Sequence, residues 1–156
     1  MTESVEDLNK HYDQATFPSF MLPKIQATGV NGLLIKGYGS PGVSYLECGA
    51  INFEMGKVDA SFSTGFAIHH AAAFSIYEYG DEEQKQRLLP VYLSFKKMIG
   101  FALTEPNFGS NATGLQTRAR KVEGGYVLNG EKYWIGNGMT GDCLVWARNE
   151  DDGGRI

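Results

Sequence analysis

Cysteine is scarce. Cys48 and Cys143 are the only two, and neither lies in a C-x-x-C pair or at metal-ligand spacing. Oxidised frameworks use more cysteines, so the reading is two reduced structural thiols. No apolar run approaches the roughly 20 residues that a bilayer-spanning helix needs. Basic residues are in the minority: 14 Lys and Arg against 18 Asp and Glu give a net charge of −4 with no basic stripe. Electrostatics therefore offers no support for a nucleic-acid partner. Histidine never occurs as H-x-x-x-H or H-E-x-x-H, so no helical metal pair is encoded. His69 and His70 are adjacent, and on a helix their side chains diverge by about 100°. That suits packing or surface roles, with contact to a substrate chain as the alternative. The opening MTESVEDLNKHYDQ is acidic and polar, unlike a secretory signal or an Arg-rich transit peptide. The expectation is a protein of the cytoplasm in a bacterium, or of the mitochondrial matrix or peroxisome in a eukaryote.

With 156 residues, 42% of them hydrophobic, the chain can bury a real core. Residues 1–16 are polar and weakly patterned, which reads as a helix remnant or a frayed start. A helix is predicted from Phe17-Pro18 through SFMLPKIQATG, with Phe20 or Met21, Leu22 and Ile25 inward and Gly29 closing it. Residues 44–56 carry apolar positions at helical spacing, and residues 61–79 are apolar nearly all round, so that helix should be buried among others. Gly80 breaks it. Asp81 with Gln84 makes a capping pair for EEQKQRLL, and Pro90 should end or kink that helix. Gly37, Gly39 and Gly42 spell G-x-G-x-x-G after Leu33-Leu34-Ile35, the outline of a dinucleotide fingerprint. No apolar run leads to Asp59, however, and Pro41 removes a donor inside the turn. The stretch reads as a loop between helices.

From Met98 the period changes. Met98–Leu103 is a buried-strand run, and residues 117–122, 126–128, 132–135 and 143–148 are further strand candidates. Glu123-Gly124-Gly125 and Asn129-Gly130 supply hairpin turns. Helices first and antiparallel strands second predict an α+β fold, divided into an all-α part at 1–97 and a β part at 98–156.

The stretch Met98–Gly138 carries the chemistry. After its strand comes Thr104-Glu105-Pro106-Asn107-Phe108-Gly109-Ser110-Asn111, a cluster of turn formers. Thr104, Ser110 and the backbone N–H groups between them suit an anion or a polar heterocycle. FALTEPNFGSNATGLQTRA followed by YWIGNG resembles the flavin-binding core of the acyl-CoA dehydrogenase and acyl-CoA oxidase superfamily. The family pattern is an apolar strand, (S/T)EP, small residues and GSD, then WI(T/S)N. Phe108, Asn111 and Gly136 depart from it. KGYG-x-x-G is also similar to a loop of glutaryl-CoA dehydrogenases and plant short-chain acyl-CoA oxidases, and WIGN and KVEGG to the latter.

The resemblance implies FAD as cofactor, held by Phe101, Ala102, Leu103, Thr104, Gly109 and Ser110, and by Trp134, Ile135 and Gly136. Leu103 would give a backbone donor, Thr104 a hydroxyl, and Ile135-Gly136 backbone donors to the ring. Ser110 would meet phosphate and the pantetheine of an acyl-CoA substrate, and Trp134 would pack on the flavin. The β part would be the start of a barrel-like middle domain. The family's C-terminal helical bundle, which supplies the proton-abstracting carboxylate, would be absent. No catalytic residue and no metal ligand is therefore assigned, and Glu105 is expected to shape its own loop. Glutaryl-CoA dehydrogenases place an Arg where this chain has Ser63, which favours a short, uncharged acyl group over glutaryl. The implied electron acceptor is an electron-transfer flavoprotein or O2, and the full-length assembly a homodimer or homotetramer. A non-catalytic fragment that binds flavin or a partner is the alternative.

Overall fold

The order of elements follows from where the chain caps its helices. In a computed structural model describing residues 4–139 and 141–156, helix α1 (Val5–Asp13) and α2 (Met21–Ala27) precede a small hairpin, β1 (Lys36–Gly37) and β2 (Ser40–Pro41). Three longer helices follow: α3 (Tyr45–Val58), α4 (Ala60–Tyr79) and α5 (Glu82–Leu93). Ser44 and Glu47 form a capping box at the start of α3. Asp59 is in extended backbone, ends α3 and accepts the Phe62 N–H, so one residue turns the chain from α3 into α4. Asp81 and Gln84 cap α5 reciprocally at 2.8 and 2.9 Å, as their spacing predicts. Each such cap is worth about 1 kcal/mol.

Helix α4 is the hub and packs against α3, α5 and the first long strand. Ala72 and Ala73 are wholly buried, letting its neighbours approach closely. One core cluster gathers Leu8, Met21, Ile25, Met55, Phe62 and Phe66 around Leu33, and a second gathers Ile35, Ile76, Leu89, Leu93 and Ile99. Both histidines of α4 are buried, which places them with the packing roles.

Strand β3 (Met98–Ala102) pairs with β6 (Gly141–Val145), and β4 (Arg118–Val122) lies between β5 (Gly125–Asn129) and β7 (Arg148–Asn149). The α+β class holds, and no closed barrel forms among the described residues. Only β4–β5 of these pairs is antiparallel; β3–β6 and β4–β7 are parallel, because the long excursions between them bring the chain back in the same direction.

Other expectations need correction. Helix α2 starts at Met21, after a turn at Phe17–Phe20, and α1 is a full helix with Leu8 buried. Pro90 does not end α5, which continues to Leu93. Burial of Leu89 and Leu93, about 1.5–3 kcal/mol each, offsets the missing backbone bond. The G-x-G-x-x-G stretch does lie in the connection between α2 and α3, where it is ordered as a small hairpin. Tyr38 and Gly39, with φ of 53° and 92°, form the two-residue turn of the β1–β2 hairpin, as I′-type geometry requires.

Candidate functional site

Two distant segments meet at the end of β3. The Tyr133 N–H donates to the Thr104 carbonyl at 2.9 Å. Lys132 Nζ donates to the Leu103 carbonyl and to Glu105 Oε1, each at 2.9 Å. Further along, Asn137 Nδ2 donates to the Gly65 carbonyl of α4 at 2.8 Å, and Gly136 faces Ile68 of the same helix. Segment 132–137 thus bridges β3 and α4. It can lie this close because position 100 is glycine: a Cβ there would stand 2.9 Å from the Gly136 carbonyl oxygen and 3.2 Å from Cys143 Sγ.

The strand expected at 132–135 is not formed, and Asn129-Gly130 is consequently not a hairpin turn. Trp134 and Asn137 have φ of 58° and 61°, in the left-handed region, which a strand cannot accommodate. Trp134 is 90% exposed. A left-handed, non-glycine backbone costs about 1–3 kcal/mol and collects at ligand clamps. Here it presents a flat indole on the surface, next to the segment that follows β3. Among the described residues, the N–H groups of Leu103, Thr104, Ile135 and Gly136 have no acceptor within the chain. Exposed ring and free donors together fit a planar heterocycle with acceptor atoms along one edge.

Glu105 is buried and fully engaged. Its carboxylate accepts the N–H of Gln116 at 2.6 Å and of Thr117 at 2.8 Å, besides the Lys132 ammonium. Burial is the largest single influence and raises its pKa. The Gln116 and Thr117 N–H groups and the Lys132 ammonium outweigh it and hold the carboxyl at about 2. A carboxylate so acidic and so occupied is a poor proton acceptor, and it closes the 103–117 loop as expected.

Phe101 is half-buried with its ring 5.8 Å from Trp146, and Ala102 is buried with its carbonyl taken by the Trp146 N–H. Phe101 also packs against the second core cluster, and as its neighbour in the strand Ala102 faces the other side of β3. Gly109 and Ser110 are exposed on the turn after the mutual Glu105–Phe108 backbone bonds. No hydrogen bond or ring contact joins them to 134–136 among the described residues. The unusual Phe108 is accommodated by Gly114, which leaves its ring the space a Cβ would take.

Beside the Gly136–Asn137 backbone lies a cavity of about 520 Å³, walled by Leu8, Phe17, Phe62 and Ile68, with Asp59 also lining it. Ser63 does not line this cavity; its hydroxyl donates to the Asn52 carbonyl of α3. Lys132, Asn137 and Gly100 escaped the sequence reading. Lys132 stands in EKYW like an ordinary surface charge, and nothing local marks it as the partner of a carboxylate 27 residues away.

Comparison with known proteins gives a consistent result. A family model described as acyl-CoA dehydrogenase, N-terminal domain, matches residues 1–96, and one described as acyl-CoA dehydrogenase, middle domain, matches residues 100–155. The chain is 34% identical over 131 residues to the mitochondrial isobutyryl-CoA dehydrogenase of Dictyostelium discoideum, covering 83% of this chain and 31% of that protein. It is 37% identical over 110 residues to the mitochondrial isovaleryl-CoA dehydrogenase of Solanum tuberosum, covering 69% and 26%. Among solved structures, a glutaryl-CoA dehydrogenase from Mycobacterium smegmatis in complex with FADH2 superposes with a TM-score of 0.87 at 35% identity, covering 96% of this chain and 41% of that one. The chain spans less than half the length of these relatives.

Proposed function

Because the chain belongs to the acyl-CoA dehydrogenase family, we propose that it provides the flavin-binding face of an enzyme that desaturates a short, uncharged acyl-CoA between its α and β carbons. FAD supplies the hydride-accepting chemistry when bound. The observation that carries the reading is the pairing of free donors at Leu103-Thr104 and Ile135-Gly136 with the exposed ring of Trp134. The similar Mycobacterium smegmatis enzyme is in complex with FADH2. Donors fixed in advance by the fold cost no reorganisation when charge develops opposite them. Phe101, Ala102 and Gly109 are further proposed cofactor contacts, and Ser110 is the proposed contact to phosphate and pantetheine. Residues 1–97 and 98–156 are the proposed helical and β units.

The cavity beside Gly136 and Asn137 supports the choice of acyl group. Leu8, Phe17, Phe62 and Ile68 give it apolar wall, and among the described residues no Lys or Arg lines it, while Asp59 and His11 do. A second carboxylate on the acyl chain would find no permanent cation there and would lie near the like charge of Asp59. Glu105 is not the base, for the reasons of pKa and occupancy above, and no other carboxylate in this chain is assigned that role. Electrons would leave to an electron-transfer flavoprotein or to O2, from a homodimer or homotetramer.

The test is flavin content followed by substrate choice. The purified chain should hold oxidised FAD, visible as yellow colour, and a full-length enzyme carrying it should turn over butyryl-CoA about tenfold or more faster than glutaryl-CoA, the equivalent of one lost charge pairing. A colourless protein that takes up no added FAD refutes the flavin assignment. A preference for glutaryl-CoA refutes the acyl assignment alone.

A further inference from the structure

The geometry points to Lys132 as a positioning residue that aims the Thr104 N–H at the flavin by holding the Leu103 carbonyl; this rests on the reading that 103–104 and 134–136 bind FAD. In a trans peptide, the carbonyl of one residue and the N–H of the next point in opposite directions. No described peptide bond is cis. The Leu103 carbonyl and the Thr104 N–H are therefore opposed across one rigid plane. Lys132 Nζ sits 2.9 Å from that carbonyl oxygen, so the Thr104 N–H is directed away from the lysine, and it has no acceptor within the chain among the described residues. The next peptide plane is held from the same segment, because the Thr104 carbonyl accepts the Tyr133 N–H at 2.9 Å. Residues 132 and 133, immediately before Trp134, thus set the orientation of both planes that follow β3.

The burial of Lys132 needs a reason beyond its ion pair. Its side chain is only 10% exposed, against 5% for Glu105, and burying an ammonium carries a large desolvation penalty. Glu105 already has the N–H groups of Gln116 and Thr117 to anchor it. No other side chain among the described residues holds the Leu103 carbonyl. A lysine suits the task, since an ammonium can serve two acceptors in different directions, whereas the planar guanidinium of arginine favours one bidentate partner.

The experiment titrates FAD into the purified protein and its Lys132→Met and Lys132→Gln variants, reading flavin fluorescence and the visible absorption band. Thermal melts report folding in parallel. Methionine keeps the length without the charge; glutamine remains polar but is too short to reach both acceptors. If Lys132→Met alone fails to fold because it strands the Glu105 carboxylate, the glutamine variant carries the test. The expected result is FAD binding weakened by about tenfold or more, the scale of a lost charge-assisted bond, together with a moved visible band. A purely structural lysine would lower the melting temperature and leave that band in place. A folded variant binding FAD within about twofold of the parent, with an unchanged band, overturns the role of Lys132 while the flavin site stands. No FAD uptake by the unaltered protein overturns both.

Discussion

His69 Nδ1 accepts the backbone N–H of Ile99 at 3.1 Å, while its Nε2 lies 3.1 Å from the Tyr92 carbonyl. An amide can only donate and a carbonyl only accept, so the ring is neutral with its proton on Nε2. One imidazole therefore ties α4 to the end of α5 and to β3, the strand that leads into the flavin-facing loop. Protonating Nδ1 would break the bond to Ile99.

Acid should loosen this joint. Burial depresses His69 to about 4, against a smaller upward pull from the Tyr92 carbonyl; burial and then the neighbouring His69 depress His70 to about 4 as well. For groups depressed in the folded state, the stabilisation is complete above the unfolded value, about 6.5, and is lost as pH falls toward 4. Melting temperature should accordingly decline between pH 6.5 and 4. The Glu105 carboxyl, at about 2 in the folded chain, adds its own loss only below the unfolded carboxylate value of about 4.3. A melting temperature that stays level from pH 7 to pH 4.5 would contradict the assignment.

Trp134→Ala should separate binding from folding. The indole is 90% exposed and its backbone left-handed, so its loss should change stability by no more than about 0.5 kcal/mol. FAD affinity should fall about two- to tenfold, the value of an aromatic contact beyond its area. Thr104→Val, combined with it, should weaken FAD further. Unchanged flavin occupancy in the double variant would count against the site.

Gly100→Ala tests the seating of segment 132–137 on β3. The added methyl would lie 2.9 Å from the Gly136 carbonyl oxygen, a backbone atom with little room to retreat. A loss of about 1–3 kcal/mol is expected, with weaker FAD binding because Gly136 is displaced. A denaturant midpoint equal to that of the parent would show that the segment is loosely held.

Residues 1–156 by themselves should not desaturate butyryl-CoA. Glu105 is committed to its loop, and general-base assistance is worth about 10²–10⁴-fold. The donors at Ile135 and Gly136 also lie open to water, which weakens their electrostatic effect. The assay supplies FAD and an artificial electron acceptor. Turnover near that of a full-length family member would mean that a carboxylate read here as structural is the base.

Local chemistry made much of this protein legible in one dimension. The Asp81–Gln84 cap, the apolar circumference of α4, the Met98–Ala102 strand and the β4–β5 hairpin all depend on residues close in sequence. The motif around Thr104 and Trp134 was readable for the same reason. What the tertiary structure decided depends on partners far apart along the chain. Pro90 stays within α5 because Leu89 and Leu93 have α4 to bury against, and propensity alone cannot count that gain. EKYWIG has the composition of a strand, yet it becomes a left-handed bridge from β3 to α4, seated on Gly100 and held by Asn137 to Gly65. Lys132 looks like any solvated lysine until Glu105 and the Leu103 carbonyl are brought beside it. A hydrogen bond or an ion pair is specified by its two ends together, and only folding brings those ends within 3 Å.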